Sequence, residues 1–412
     1  MNPASTSKPG SQVLSSFNSR NLRRSVSPNR HRFIIRRFYS NLTRRGYAQG
    51  PAYLRVSIRR SHVLDDSFRR IMAASKKKLR RSHLIVNFVS EQGMDFGGLT
   101  REFFSSISRK LFDPCFGLFE YSADDTHKIQ MSPLSASVTN FEGWFQFVGR
   151  IFGLALINRC QLEAPLVGHF YKILLRLPMT LSDLESFDDE FFQSLEWIRD
   201  NDLSAFPDLD LTFCVTENVL GDIVERDLKA DGRNIAVNEM NKLEFLSLMI
   251  KWRLGRGVQQ QTECLLRGFY QVIDSRLMKS FTALTLQLVI AGTPEIDINN
   301  WRCFTEYRGG YDNNHQVIVW FWETVTKFTN EQRSRLLKFV TGTSSLPYEG
   351  FVALRNASRP TRFCIVKWNE PNALPCASTC TNRLLLPPYS TAEELYEKLL
   401  FAVEETDTFG RI

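Results

Sequence analysis

Six residues, Thr293-Pro-Glu-Ile-Asp-Ile298, most constrain how this chain can fold. An apolar helix ends near Ala291 just before them, and a proline between polar neighbours does not continue it. At 412 residues, the chain is also longer than one hydrophobic core usually serves. The break therefore reads as a hinge, 293–298, between a larger unit over 62–292 and a smaller one over 299–412.

The two sides differ in pattern. Before the break, Thr100–Phe112, Trp144–Asn158, Phe170–Leu177, Asp183–Trp197 and Leu243–Trp252 carry apolar residues at helical spacing, and His83–Val89 alternates as a strand. Ser61 is the expected N-cap of a helix that Lys76–Arg81 closes, where cations suit the macrodipole. After the break come helices over Val317–Phe328 and Glu331–Val340, then strands over Arg362–Trp368 and Arg383–Leu386. Pro387-Pro388 ends the last strand, and Ser390-Thr-Ala-Glu393 reads as a capping box for a final helix. The expected class is α+β, with a large, mostly helical part joined to a smaller α/β part.

Net charge of +8 misrepresents the folded body. Thirteen of the 52 Lys and Arg precede Asp65 with no acid among them, leaving 39 bases against 44 acids, a net of −5. Residues 1–30 read as a disordered basic segment and 31–61 as a basic linker helix, with Ile34, Phe38 and Leu42 on one face. An Arg- and Ser-rich, acid-free leader also fits a mitochondrial transit peptide. Nucleic acid is not an expected partner of the body. No run reaches the roughly 20 apolar residues that span a bilayer, and no secretory signal is evident. Eight cysteines without Cys-x2-Cys spacing suggest neither a disulfide scaffold nor a zinc site. Reduced thiols in the cytoplasm, without metal or cofactor, are expected.

Chemistry concentrates in Leu374–Tyr389. Cys380 falls in a polar loop before the apolar strand Leu384–Leu386, so a thiol there is exposed on a rigid base, as a nucleophile requires. Alone, such a cysteine is more often an inert small hydrophobe. Cys376, four residues away, leaves a redox pair or partial metal site open.

Six segments then shift the reading: Arg101-Glu-Phe-Phe104, Gly117-Leu-Phe-Glu-Tyr-Ser122, Asp227-Leu-Lys-Ala-Asp-Gly-Arg-Asn-Ile235, Thr305-Glu-Tyr-Arg-Gly-Gly-Tyr311, Phe339-Val-Thr-Gly-Thr343 and Leu384-Leu-Leu-Pro-Pro-Tyr389. In this order and spacing the chain, from about Leu42 onward, resembles the HECT domain of ubiquitin ligases, in particular the class that carries WW domains. The resemblance implies a bilobal fold, an N-lobe that binds a ubiquitin-conjugating enzyme, and a C-lobe whose Cys380 takes ubiquitin as a thioester and passes it to a substrate lysine. Thr379, Cys380, Asn382 and Phe409 match its catalytic positions. Leu195, Ile198, Leu211 and Phe245 match the conjugating-enzyme groove, though without the resemblance core packing is the better reading of all four. Tyr121 matches a site for a second, non-covalent ubiquitin, with a plain core tyrosine as the alternative. Phe409 also suits a hydrophobic groove cap, and the Ile412 carboxylate is a further candidate base for the attacking amine.

The loop departs from the usual Leu-Pro-Arg-Ala-His-Thr-Cys-Phe-Asn. Cys376 stands for Arg, Ser378 for His and Thr381 for Phe. The usual acid at the chain end is Ile412, and a Phe before Gly221 is Leu220. An active ligase is the first reading. A scaffold that binds ubiquitin and conjugating enzyme without efficient transfer is the second. A cysteine hydrolase is the third, and it needs a paired histidine from elsewhere in the fold.

Overall fold

The computed structural model describes residues 28–404 apart from 92–94, 96, 123–127, 186, 207–208, 220–221, 294 and 356–359. Phe409, Leu220 and Ile412 lie outside the described residues, as does 1–27 of the leading basic segment. Within them, apolar side chains gather into two cores. The first runs from Ile34 to Ile290, and the second from Ile296 to Val403.

The first core is built on helix Phe141–Asn158, which is apolar on nearly every side and buried accordingly. It crosses helix Gln259–Val272 at glycines. A Cβ on Gly149 would lie 2.0 Å from Leu265 O, and one on Gly268 would lie 1.9 Å from Gln146 O. Bare backbones therefore touch, and no larger residue fits either position. Arg150 is buried in the same core. Its guanidinium donates to Ile71 O at 2.6 Å and to Gln271 Oε1 at 2.8 Å, so the charge is fully used.

The basic linker is shorter than its spacing suggests. Helix Pro28–Arg44 lays Ile34, Ile35, Phe38 and Leu42 on the core and joins His31 Nδ1 to Thr285 Oγ1 at 2.7 Å. A strand, Tyr53–Ile58, then replaces helix because Leu54, Val56 and Ile58 alternate inward. It pairs in parallel with His83–Phe88. Ser61 caps nothing. It sits in a turn before helix Val63–Met72, and Lys76–Arg81 is a separate helix capped by Ser75.

The second core holds a four-stranded sheet in the order Thr305–Arg308, Phe363–Lys367, Arg383–Leu386, Cys376–Ser378. The first three strands are parallel and the last joins the edge antiparallel. Trp301 is fully buried beneath it, stacked on Phe351 at 4.8 Å. Helices Gln316–Lys327, Asn330–Thr341 and Ala392–Glu404 cover the sheet. The last is capped one residue later than its sequence suggests: Thr391 accepts from Glu394 N, and the Glu394 carboxylate accepts from Ser390 N.

One buried group gives the fold a pH dependence. Burial lowers His169 from its usual 6.5 to about 4, with Asp183 opposing and Lys172 adding, and its Nδ1 has no hydrogen-bond partner among the described residues. The folded state thus prefers the neutral ring. Its contribution is complete above pH 6.5 and is lost as pH falls toward 4. Between pH 7.5 and 5 this amounts to about 2 kcal/mol. Urea unfolding of His169→Gln is expected to show a pH 7.5-to-5 stability difference smaller than wild type by about that amount.

Candidate active site

Cys380 sits in the tight connection between strands Cys376–Ser378 and Arg383–Leu386. The turn is closed by Thr381 N donating to Ser378 O at 3.1 Å. Asn382 leaves the turn at φ +52, a left-handed conformation that asparagine tolerates better than most residues. It is fully buried, and its Nδ2 donates to Thr361 O at 2.8 Å. Thr379 is also buried, whereas the Cys380 thiol is half-buried and reachable. Rigid base and accessible sulfur therefore coexist. Ser378 Oγ lies 3.3 Å from Cys380 Sγ.

The loop rests on the other core. A Cβ on Gly98, in the first turn of helix Gly98–Leu111, would lie 2.9 Å from both Cys380 N and Thr379 Oγ1. One turn later, the Arg101 guanidinium donates to Thr379 O at 2.5 Å and to Arg355 O. Burial pushes the Arg101 pKa below its usual value, opposed by Cys160, Asp95 and Cys380. A third tie is Glu163, whose carboxylate accepts from Ser105 Oγ at 2.6 Å and from Ser344 Oγ at 2.8 Å. None of these partners is near Cys380 in sequence, and although Arg101 opens one of the quoted segments, nothing in that segment links it to the Cys380 loop.

No histidine hydrogen-bonds Cys380 among the described residues. His169 packs edge-on to Phe187, and His315 caps helix Gln316–Lys327. Burial raises the pKa of the Cys376 thiol, and pushes Cys160 up to about 12.

The expected groove residues divide. Leu195 and Ile198 are buried in the first core at 2% and 8% exposure, which corrects the expectation that they offer a surface, whereas Phe245, at 3% exposure, lines the same cavity as Leu211. The i, i+3 pair faces inward because that is the apolar face of helix Asp189–Asp200. Leu211 is half-buried and lines a cavity of about 650 Å³ with Phe191, Met249 and Trp252. The exposed apolar residues nearby are Trp197, Phe206 and Leu209, with the two rings in edge contact at 5.1 Å. Helical spacing identified the amphipathic helix but not these. Tyr121 is 58% exposed at the end of strand Phe119–Tyr121, so it is not a core residue.

Residues 105–412 match the HECT-domain (ubiquitin-transferase) family. The chain belongs to the HECT family. The E3 ubiquitin-protein ligase HECW2 of Mus musculus is 58% identical over 376 residues, covering 91% of this chain and 24% of that protein. The human E3 ubiquitin-protein ligase HECW1 is 56% identical over 389 residues, 94% of this chain and 24% of its own length. Human E3 ubiquitin-protein ligase NEDD4 is 41% identical over 363 residues, 88% and 27% respectively. The chain thus spans about a quarter of the length of these curated relatives. Its two cores and mixed helices and sheets agree with a bilobal α+β HECT fold. Among the described residues, no helix is long and apolar enough to cross a membrane.

Proposed function

We propose that this HECT chain accepts ubiquitin from a conjugating enzyme as a thioester on Cys380 and transfers it to a substrate lysine. The observation that carries this reading is a half-exposed thiol on a braced turn, held by a buried Asn382 and seated against Gly98 and Arg101. Exchange of one thioester for another is near thermoneutral and asks for an aligned sulfur more than a strong base. Among the described residues no histidine pairs with Cys380, which suits that exchange better than hydrolysis.

In this reading 62–292 is the N-lobe, 293–298 the hinge and 299–412 the C-lobe that swings between donor and acceptor. Thr379 and Asn382 hold the loop, and Phe409 steadies the tail during lysine attack. The conjugating enzyme docks on Trp197, Phe206 and Leu209 and reaches the cavity that Leu211 and Phe245 line, and Tyr121 offers a surface for a second ubiquitin. A reducing compartment, the cytoplasm, suits a chain with eight free thiols.

The test is single-turnover charging by ubiquitin-loaded conjugating enzymes, followed on a gel without reductant. A thiol-sensitive adduct is the expected result, and no adduct with any of several enzymes favours the scaffold reading. Trp197→Ala is expected to raise the conjugating-enzyme concentration for half-maximal charging about tenfold or more, with the maximal rate kept, because an exposed aromatic anchor carries a large share of binding.

A further inference from the structure

Two hydroxyls surround the thiol. Thr381 Oγ1 donates to Ser378 Oγ at 3.0 Å, and Ser378 Oγ is 3.3 Å from Cys380 Sγ. A hydroxyl that accepts one hydrogen bond still has its own proton to give, so Ser378 is free to donate to the sulfur. That is the sulfur's one hydrogen bond among the described residues. Ser378 and Thr381 are also two of the positions at which the loop departs from the usual His and Phe. In space they are one arrangement, with Thr381 holding Ser378 and Ser378 addressing the sulfur. Both remain partly exposed, so the bond lies where a bound thioester would form.

We propose that Ser378 is a catalytic residue whose hydroxyl stabilises the Cys380 sulfur as it leaves the thioester, and that Thr381 is the positioning residue that orients this hydroxyl. The inference rests on the thioester reading of Cys380. In the transfer step a lysine nitrogen bonds to the thioester carbonyl carbon and gives its proton to water. The carbon–sulfur bond then breaks, and its electron pair goes to the sulfur. Charge arrives on the atom that faces Ser378, where a hydrogen bond to an ion is stronger than to a neutral thiol. When Cys380 instead attacks an incoming thioester, the sulfur gives its charge up. The same hydrogen bond then favours the reactant and does not speed attack. The two steps therefore respond differently to loss of the hydroxyl.

The experiment follows both steps in the whole chain under single turnover. Ser378→Ala is expected to slow discharge onto free lysine about tenfold at saturating lysine, with charging within about threefold of wild type. Ser378→Thr restores much of the rate, and Thr381→Val gives an intermediate loss. Equal slowing of both steps, or none, overturns the inference. Alkylation of Cys380 by iodoacetamide at neutral pH, read by peptide mass spectrometry, needs no ubiquitin. A changed rate in Ser378→Ala, with exposed Cys115 and Cys303 as internal references, supports the hydrogen bond. An unchanged rate overturns it, whereas a wild-type chain that alkylates normally but never charges overturns the transfer reading instead.

Discussion

Cys380→Ala is expected to remove the thiol-sensitive ubiquitin adduct below detection, a loss of at least a hundredfold, while Cys376→Ala keeps it. The contrast is informative because the two thiols are four residues apart in one loop and strand. Cys376 lies on the edge strand in register with Leu385, and burial disfavours its thiolate. Cys160, Cys264 and Cys364 are buried, and burial raises the pKa of each. Cys115 and Cys303 are exposed but lie far from the braced turn in sequence and in neither case on it. Cys380→Ser adds a chemical signature: an ester in place of a thioester survives reductant on the gel. An adduct that persists unchanged in Cys380→Ala would move the acceptor to another thiol.

The largest stability effect is expected at Gly268. Alanine there places a methyl group 1.9 Å from Gln146 O, a distance no side-chain rotation relieves because both sides of the contact are main chain or Cβ. Helices Phe141–Asn158 and Gln259–Val272 must separate, and the first of these is the centre of the larger core. Overpacking of this kind costs about 3 kcal/mol or more. Helix propensity pulls the other way by only about 1 kcal/mol, so the sign is set by packing. Urea unfolding should show a lower midpoint for Gly268→Ala. By comparison, Gly255→Ala in helix Lys242–Gly255, where a Cβ meets nothing within 4 Å, provides the matched control.

What the sequence disclosed follows a physical divide. Cys380 was legible because a polar loop before an apolar strand is a local pattern, and the loop and strand are where that pattern puts them. Sheet strands Phe363–Lys367 and Arg383–Leu386 were legible for the same reason. Tyr53–Ile58 had an equally clear alternation, but basic residues and the preceding helical spacing masked it. Leu195 and Ile198 illustrate a different failure: periodicity reveals that a helix has an apolar face, not whether that face meets the core or a partner. Gly98 and Arg101 were beyond reach because their work is done on residues some 280 positions away. Without the fold, a glycine in the first turn of a helix gives no sign of what it touches, and the segment that Arg101 opens does not name its partner.

The seat of the catalytic loop has a thermodynamic consequence. Its named ties are a guanidinium on two carbonyls, a carboxylate on two serine hydroxyls, and glycine backbone against backbone. Parting them hands polar groups to water. Heat capacity changes mainly when apolar surface is hydrated, so these ties themselves contribute little to any heat-capacity change on opening. The enthalpy of parting these ties accordingly varies little with temperature, and the poise between docked and parted loop responds to solutes that compete for hydrogen bonds.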